Sequence, residues 1–124
     1  MTWLAVMAGG ALGSLARHGV NTLVAHLIPR PNPYATAAVN LVGAGIVGVL
    51  AGLIASGRLH MSLNQRTFVF VGILGGFTTF SSFMLDTLTL IYGGESGLAL
   101  VNLAGQTLLG FAAVWAGYYL GVVL

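Results

Sequence analysis

Residues 72–83 carry the side chains whose types and spacing point most directly to chemistry. They read G-I-L-G-G-F-T-T-F-S-S-F, so a Gly-Gly pair, clustered hydroxyls and phenylalanines lie inside a long hydrophobic run. The Gly75-Gly76 pair predicts a break in a membrane-spanning helix. Such a break frees backbone groups that lipid cannot satisfy, and it persists only where protein or a water-filled cavity receives them. The segment therefore indicates a path for a small polar species.

The two halves of this predicted broken helix would present opposite partial charges. A helix from residue 67 to about 74 ends near mid-membrane and exposes carbonyl oxygens, which attract a cation. A second half that begins near Thr79 exposes N–H groups. These groups and the nearby hydroxyls attract an anion. Discontinuous helices with ends near the bilayer midplane are a recurrent means of holding ions.

The residues after the predicted break share helix faces in pairs. Phe80 and Phe83 are three apart, as are Thr79 and Ser82, and residues at this spacing lie on the same side of a helix. The edge of an aromatic ring carries the positive part of its quadrupole, so it can contact a dehydrated anion without a full charge that would trap it. The alternative is that both phenylalanines face lipid or fill the core.

Two other hydrophobic runs carry polar side chains at a spacing of four. Thr36 and Asn40 share one face of the second run, and Asn102 and Gln106 share one face of the last. An amide in a lipid-spanning helix must hydrogen-bond, and the Asn40 NH₂ group is a good donor to an anion. Hydrogen bonding between helices explains the same spacing and is the commoner role of such residues.

Two charged side chains, Arg17 and Asp86, lie inside hydrophobic runs and at similar depth. Arg17 is about ten residues, and Asp86 about six, from the end of its run on the same predicted membrane face, which is a difference of about one helical turn. Ionisable groups at depth are costly and are usually paired or functional. We expect either an ion pair or a shared aqueous vestibule.

The composition is that of an integral membrane protein. Hydrophobic residues make up 57% of the chain and charged residues 5%, against about 25% charged in soluble proteins. The absence of cysteine excludes disulfides and thiolate sites, and the net charge of +2 gives no sign of nucleic-acid binding. Because the chain has no paired carboxylates, metal-ligand histidine spacing or nucleophile with a base, we expect no enzyme activity. Small-xxx-small spacing predicts tight helix packing at Gly9/Gly13, Gly48/Gly52, Gly72/Gly76 and Gly117/Gly121.

Breaks in hydrophobicity divide the chain into four predicted transmembrane spans. Each has the roughly 20 residues needed to cross a bilayer core. We predict an all-α membrane protein in which residues 1–124 form a single four-helix transmembrane domain with a broken third helix. The predicted spans are approximately residues 3–28, 34–56, 67–92 and 98–123.

Positive charges are nearly balanced between the two predicted sides of the membrane. Arg58 and Arg66 lie on one side and Arg30 on the other, joined by Arg17 if that side chain snorkels. Since the positive-inside rule has little to act on, we expect the chain to insert in both orientations and to pair antiparallel as a dual-topology dimer. A bundle of four helices is also too small both to enclose a hydrophilic pathway and to pack itself, which favours a homodimer.

The chain resembles the Fluc/CrcB fluoride channels over nearly its full length. The matching strings are G-G-A-L-G-S-L-A-R at 9–17, A-T-A-A-V-N at 35–40 and G-G-F-T-T-F-S-S-F at 75–83. The resemblance implies a dual-topology, antiparallel homodimer with two fluoride pores and a structural sodium ion at the dimer centre. It further implies passive export of cytoplasmic fluoride across the cell (inner) membrane, without an organic cofactor, as protection from fluoride toxicity.

The resemblance also implies roles for individual residues. Backbone carbonyls of Gly75 and Thr78 from both protomers would hold the sodium ion. Phe80 and Phe83 would form an aromatic box, and Asn40 would donate to fluoride. With the polar residues noted above, the predicted fluoride pathway comprises Phe80, Phe83, Asn40, Ser81, Ser82, Thr79, Thr36 and Gln106.

The fourth predicted span departs from the family pattern. Gly110 and Val114 occupy positions that are commonly Ser and Thr in the family, and Gln106 lies one turn earlier. The polar lining of the pathway is therefore thinner at one end, wetter, or completed by Gln106. A heterodimer with a paralogous partner, in which each subunit keeps one competent pore, is also open.

Two other classes of protein fit part of the pattern. A small proton-coupled multidrug exporter shares the four spans, but its mechanism needs a membrane-embedded glutamate in the first span, and this chain has none there. A non-transporting membrane scaffold subunit would explain the glycines and the balanced charge, but not the mid-membrane break. Fluoride efflux from liposomes separates the three classes.

Overall fold

The computed structural model describes residues 1–124 and contains helices and turns but no strands. The third helical span is interrupted, so its two halves are numbered as separate helices, α3 and α4. Helix α3 is continuous through three segments, Leu63–Arg66, Thr67–Leu74 and Gly75–Phe77. The other helices are α1 (Thr2–Leu27), α2 (Tyr34–Ala55), α4 (Phe80–Tyr92) and α5 (Ser96–Val123).

Three helical stretches are long and apolar enough to cross a membrane, namely Tyr34–Ala55, Leu63–Tyr92 and Ser96–Val123. Helix α1 has 26 residues and is therefore also long enough, but Arg17 and its polar neighbours make it less apolar. Large apolar side chains cover much of the outer surface, whereas the buried hydrophobic core has only five members. This is the surface of a multi-pass membrane protein, in which lipid replaces water around the helices.

Helix α3 begins earlier than the predicted span, which starts at residue 67. Ser62 Oγ accepts the Gln65 N–H at 3.2 Å, and the Ser62 N–H donates to Gln65 Oε1 at 2.8 Å. This reciprocal capping box satisfies two N–H groups of the helix start and fixes its first residue at Leu63. Residues Thr67–Leu74 are then wound as a π-helix.

The four predicted glycine pairs form two close helix contacts. Gly9 and Gly13 of α1 face α3, where a Cβ added at Gly72 would lie 2.8 Å from the Gly9 Cα. The second contact joins α2 to α5 through Gly48, Gly52, Gly117 and Gly121. Helix backbones thus touch along both pairs, as small residues allow in membrane bundles.

The break lies three residues beyond the predicted point. Gly75 is helical, with φ −64° and ψ −35°, and the helix continues to Phe77. The chain becomes extended at Thr78 (φ −84°, ψ 161°) and Thr79 (φ −155°, ψ 123°). The prediction that the first half ends near residue 74 was therefore wrong, whereas the prediction that the second half begins near Thr79 is confirmed.

The physical reason is that Gly76 serves close packing against α1 rather than a break in the helix. A Cβ added at Gly76 would lie 2.8 Å from the Gly10 carbonyl oxygen and 3.1 Å from the Ser14 N. The break then redirects the chain, because α3 packs along α1, whereas α4 packs on α5.

Candidate functional site

The extended residue Thr79 is held by the side-chain amide of Asn40 from α2. Asn40 Oδ1 accepts the Thr79 N–H at 2.8 Å, and Asn40 Nδ2 donates to the Thr79 carbonyl at 3.0 Å. One amide therefore satisfies both main-chain polar groups of the residue at the break. In a continuous α-helix the Thr79 N–H would bond the carbonyl of Gly75, so the break releases that carbonyl at an exposed position.

A chain of hydrogen bonds runs from Asn40 across the bundle. Asn40 Nδ2 also donates to Gln106 Oε1 at 2.8 Å, and Gln106 Nε2 donates to Asn102 Oδ1 at 2.8 Å. Asn102 Nδ2 donates to Thr87 Oγ1 at 3.0 Å, and Thr87 Oγ1 donates to the Phe83 carbonyl at 2.8 Å. Gln106, Asn102 and Thr87 are all buried. We call these residues, with Asn40 and Thr79, the polar chain.

The second extended residue, Thr78, contacts the arginine of α1. Arg17 Nη1 lies 3.4 Å from the Thr78 carbonyl oxygen, to which it donates. Asp86 lies elsewhere, beside Asn32 and Thr89 at a small surface depression. No hydrogen bond joins Arg17 to Asp86, so a single protomer does not bring the two predicted partners together.

The two phenylalanines of the predicted aromatic box contact each other but differ in burial. Their ring centroids are 6.1 Å apart and their planes meet at 81°, an edge-to-face arrangement. Phe83 is 7% exposed, whereas Phe80 is 73% exposed on the surface of the protomer. One ring therefore belongs to the core of a single chain, and the other is available to lipid or to a second chain.

The hydroxyl residues of the predicted pathway cluster at the start of α4. Thr79 Oγ1 accepts the Ser82 N–H at 3.2 Å and so caps this helix, and it lies 3.5 Å from Ser81 Oγ. Ser81 is exposed, and Ser82 is partly buried. Thr36 is buried on α2, one turn before Asn40.

Thr87 is the one member of the polar chain that sequence reasoning missed. It lies four residues after Phe83 and therefore on the same face of α4. This spacing was a usable signal, because a buried hydroxyl in a membrane helix needs a partner on a neighbouring helix.

A cation near the break would depend on main-chain carbonyls and neutral side-chain oxygens. No group of three or more His, Cys, Asp or Glu side chains comes together. The Gly75 carbonyl is released and exposed, as a cation ligand requires, whereas the Thr78 carbonyl already accepts from Arg17. Hard cations take about six oxygen ligands. These two carbonyls are fewer than the ligands that such a cation takes.

Comparison with known proteins gives one consistent result. Residues 4–118 match the family model described as CrcB-like protein, Camphor Resistance (CrcB). The chain is 44% identical over 123 residues to a fluoride-specific ion channel FluC of Opitutus terrae, covering 98% of this chain and 93% of that relative. A protein of the same name from Paracoccus denitrificans is 47% identical over 121 residues, covering 97% of this chain and 94% of the relative.

A third relative, from Thermus thermophilus, gives the same result. It is also named fluoride-specific ion channel FluC and is 43% identical over 122 residues, covering 98% of this chain and 96% of its own length. Each match runs through both sides of the break and through all the helices that hold it. With its broken third span held by a buried polar chain, this protein belongs to the CrcB family.

Proposed function

We propose that this chain is a fluoride-selective ion channel that lets cytoplasmic fluoride leave the cell passively. The observation that carries the proposal is the extended Thr78–Thr79 segment in the third span, where Asn40 bonds both main-chain polar groups of Thr79 and Arg17 donates to the Thr78 carbonyl. The names of the relatives give the ion. Export would follow the negative interior potential, require no ATP, and protect the cell from fluoride toxicity at the inner membrane.

Fluoride selectivity follows from the kinds of groups near the break. Fluoride is small and strongly hydrated, so a pathway must replace its water with close donors and still release it. The start of α4 offers hydroxyls from Thr79, Ser81 and Ser82, and the edge-to-face phenylalanines offer ring edges. None of these groups carries a full charge that would trap the ion.

We propose that the channel is an antiparallel, dual-topology homodimer. Support comes from the position of Phe80 and Gly75, which are exposed on the protomer although they belong to the predicted pathway and cation site. A second chain would cover them. The nearly balanced arginines allow insertion in both orientations. A paralogous partner is the alternative composition of the same dimer.

We further propose that carbonyls of Gly75 and Thr78 from the two protomers hold a structural sodium ion at the dimer centre. The support is the carbonyl of Gly75, an exposed residue, which loses its helical N–H partner at the break. One chain supplies only two of these carbonyls, fewer than the about six oxygen ligands that hard cations take. When bound, the ion would supply positive charge that offsets the carbonyl dipoles of two facing chains. Arg17 would limit cation binding at Thr78 through its own hydrogen bond to that carbonyl.

Fluoride efflux from liposomes tests the proposed function. Purified protein is reconstituted in vesicles loaded with potassium fluoride, and a fluoride electrode follows efflux after valinomycin sets the membrane potential. We expect fluoride efflux that depends on voltage alone, and we expect parallel vesicles loaded with potassium chloride to retain chloride. Efflux that requires a proton gradient would indicate an exporter, and no efflux at all would indicate a scaffold subunit.

A further inference from the structure

The amide of Asn40 has no free hydrogen for an incoming anion. Of its two Nδ2 hydrogens, one is donated to the Thr79 carbonyl at 3.0 Å and the other to Gln106 Oε1 at 2.8 Å. The proposed function uses Asn40 as a donor to fluoride. One of these two acceptors must therefore leave before fluoride can bind.

Backbone groups at the two ends of the polar chain determine which atom donates and which accepts in each of its hydrogen bonds. The Phe83 carbonyl can only accept, so the Thr87 hydroxyl donates to it, and Thr87 Oγ1 then accepts from Asn102 Nδ2. Asn102 consequently turns its oxygen toward Gln106 Nε2. Gln106 must then turn Oε1 toward Asn40.

The opposite end of the polar chain gives the same direction. The Thr79 N–H can only donate and the Thr79 carbonyl can only accept, which fixes both the oxygen and the nitrogen of Asn40. The Gln106 oxygen thus faces the Asn40 donor because of backbone groups on both sides.

The two acceptors of Asn40 differ in how easily they can move. The Thr79 carbonyl is main chain at the start of α4, so displacing it would disturb the helix cap that Thr79 forms with Ser82. Gln106 is a long side chain that can swing away by rotation about its own bonds. Gln106 Oε1 is therefore the acceptor that yields.

We propose that Gln106 Oε1 occupies the position on Asn40 that fluoride takes during permeation, so that Gln106 determines affinity and selectivity by competition. This inference rests on the proposed function. Fluoride is a strong acceptor and can displace an amide oxygen from the Asn40 hydrogen. Chloride is larger and a weaker acceptor, and it leaves the Asn40–Gln106 bond closed.

Gln106→Met tests the competition directly, because methionine has similar length but no carbonyl oxygen. We expect the fluoride concentration that half-saturates efflux to fall by about threefold to tenfold, the equivalent of one hydrogen bond. We also expect a measurable chloride leak. Gln65→Met is the matched control, because Gln65 is the only other glutamine and lies in the exposed cap of α3. A folded Gln106→Met protein with unchanged or raised half-saturation would overturn the proposal.

Gln106→Glu should change the half-saturating fluoride concentration in the opposite direction. It tests the proposal if Gln106→Met does not fold. Glutamate keeps the length and the oxygen that faces Asn40, adds a negative charge there, and loses the N–H that Gln106 donates to Asn102. We expect half-saturation to rise by about tenfold or more at pH 8, and an unchanged or lower value overturns the proposal.

The native chain provides a measurement that needs no variant. In ¹⁵N-labelled protein in nanodiscs, added sodium fluoride should shift the side-chain NH₂ signals of Asn40 and Gln106 saturably, while Gln65 stays fixed. Signals of Asn40 and Gln106 that do not move while efflux is intact overturn the inference alone. A native chain that passes no fluoride overturns the proposed function instead.

Discussion

The structure shows one of the two roles that the sequence allows for Asn40, and the other belongs to the proposed function. Within one chain it is a hydrogen-bonding residue between helices, because it joins α2 to Thr79 at the break and to Gln106 of α5. The same NH₂ group is the donor that the proposed pathway needs. A residue that both supports the break and serves the ion leaves little room for substitution.

Asn40→Asp should strongly reduce fluoride efflux. The carboxylate still accepts the Thr79 N–H, but it cannot donate to the Thr79 carbonyl or to Gln106, and its charge repels fluoride. We expect fluoride efflux to fall at least about tenfold, since two hydrogen bonds of about 1 kcal/mol each are lost. Asn64→Asp, at an exposed position near the start of α3, adds the same charge and should leave efflux unchanged. Equal efflux in the two variants would rule out a role for Asn40 in the pathway.

The same substitution can be compared at the exposed Phe80 and at the buried Phe83. Phe80→Ile should stop fluoride efflux, because it removes the ring edge that the proposed pathway uses and that is exposed on the protomer. Phe83→Ile should cost about 1–2 kcal/mol of unfolding free energy as well, because that ring is in the core. Efflux assays and thermal melts in detergent measure both effects. Normal efflux through Phe80→Ile would show that its ring faces lipid and not the ion.

At the scale of helices, the break exchanges one packing partner for another. Up to Phe77 the third span follows α1 through glycine contacts, and from Phe80 it follows α5 through the polar chain. The first contact is apolar and depends on close backbones, whereas the second depends on hydrogen bonds. The extended Thr78–Thr79 segment carries the chain from the contact with α1 to the contact with α5.

Gly13→Ala should disrupt the contact between α1 and α3. A Cβ at Gly13 would meet the Ile73 carbonyl, so the helices must separate, at a cost of about 1–3 kcal/mol. Gly19→Ala is the control, because nothing lies within 4 Å of its Cβ, and it should stabilise α1 by about 0.5–1 kcal/mol. Thermal unfolding in detergent compares the two. A stable Gly13→Ala protein would mean that α1 and α3 are not in close contact.

At the scale of the whole molecule, the surface of one chain carries features that a membrane alone does not explain. Phe80 is largely exposed although its partner ring is buried, and Gly75, whose carbonyl loses its helical N–H partner at the break, is also exposed. An exposed polar carbonyl is costly in lipid. These features support the proposed second chain.

Three lysines added after Leu124 should reduce fluoride efflux, because they bias the chain to one orientation and remove the antiparallel partner. Co-expression with a chain that carries three lysines in the 93–97 turn should restore efflux, since that chain is biased the opposite way. Reporter fusions measure orientation, and three glutamines at the same place are the control. Full efflux from chains in a single orientation would exclude the antiparallel dimer.

The sequence by itself was sufficient for the class of protein, the family, the pairing glycines and every member of the polar chain except Thr87. Composition determines that the surface meets lipid, and spacing determines which residues share a helix face, because both are local properties of the chain. The same local reasoning wrongly placed the break at Gly75-Gly76, because glycine is common where helices break.

Only the tertiary structure decided that the break is at Thr78–Thr79 and that Gln106 faces Asn40. Gly76 is enclosed by Gly10 and Ser14 of α1, so its lack of a side chain is used for packing, while Asn40 supplies the hydrogen bonds that let Thr79 leave the helix. Both outcomes depend on partners that are far away in sequence. A hydrogen bond between residues 40 and 106 has no signal in local spacing, because its energy exists only once α2 and α5 are packed together.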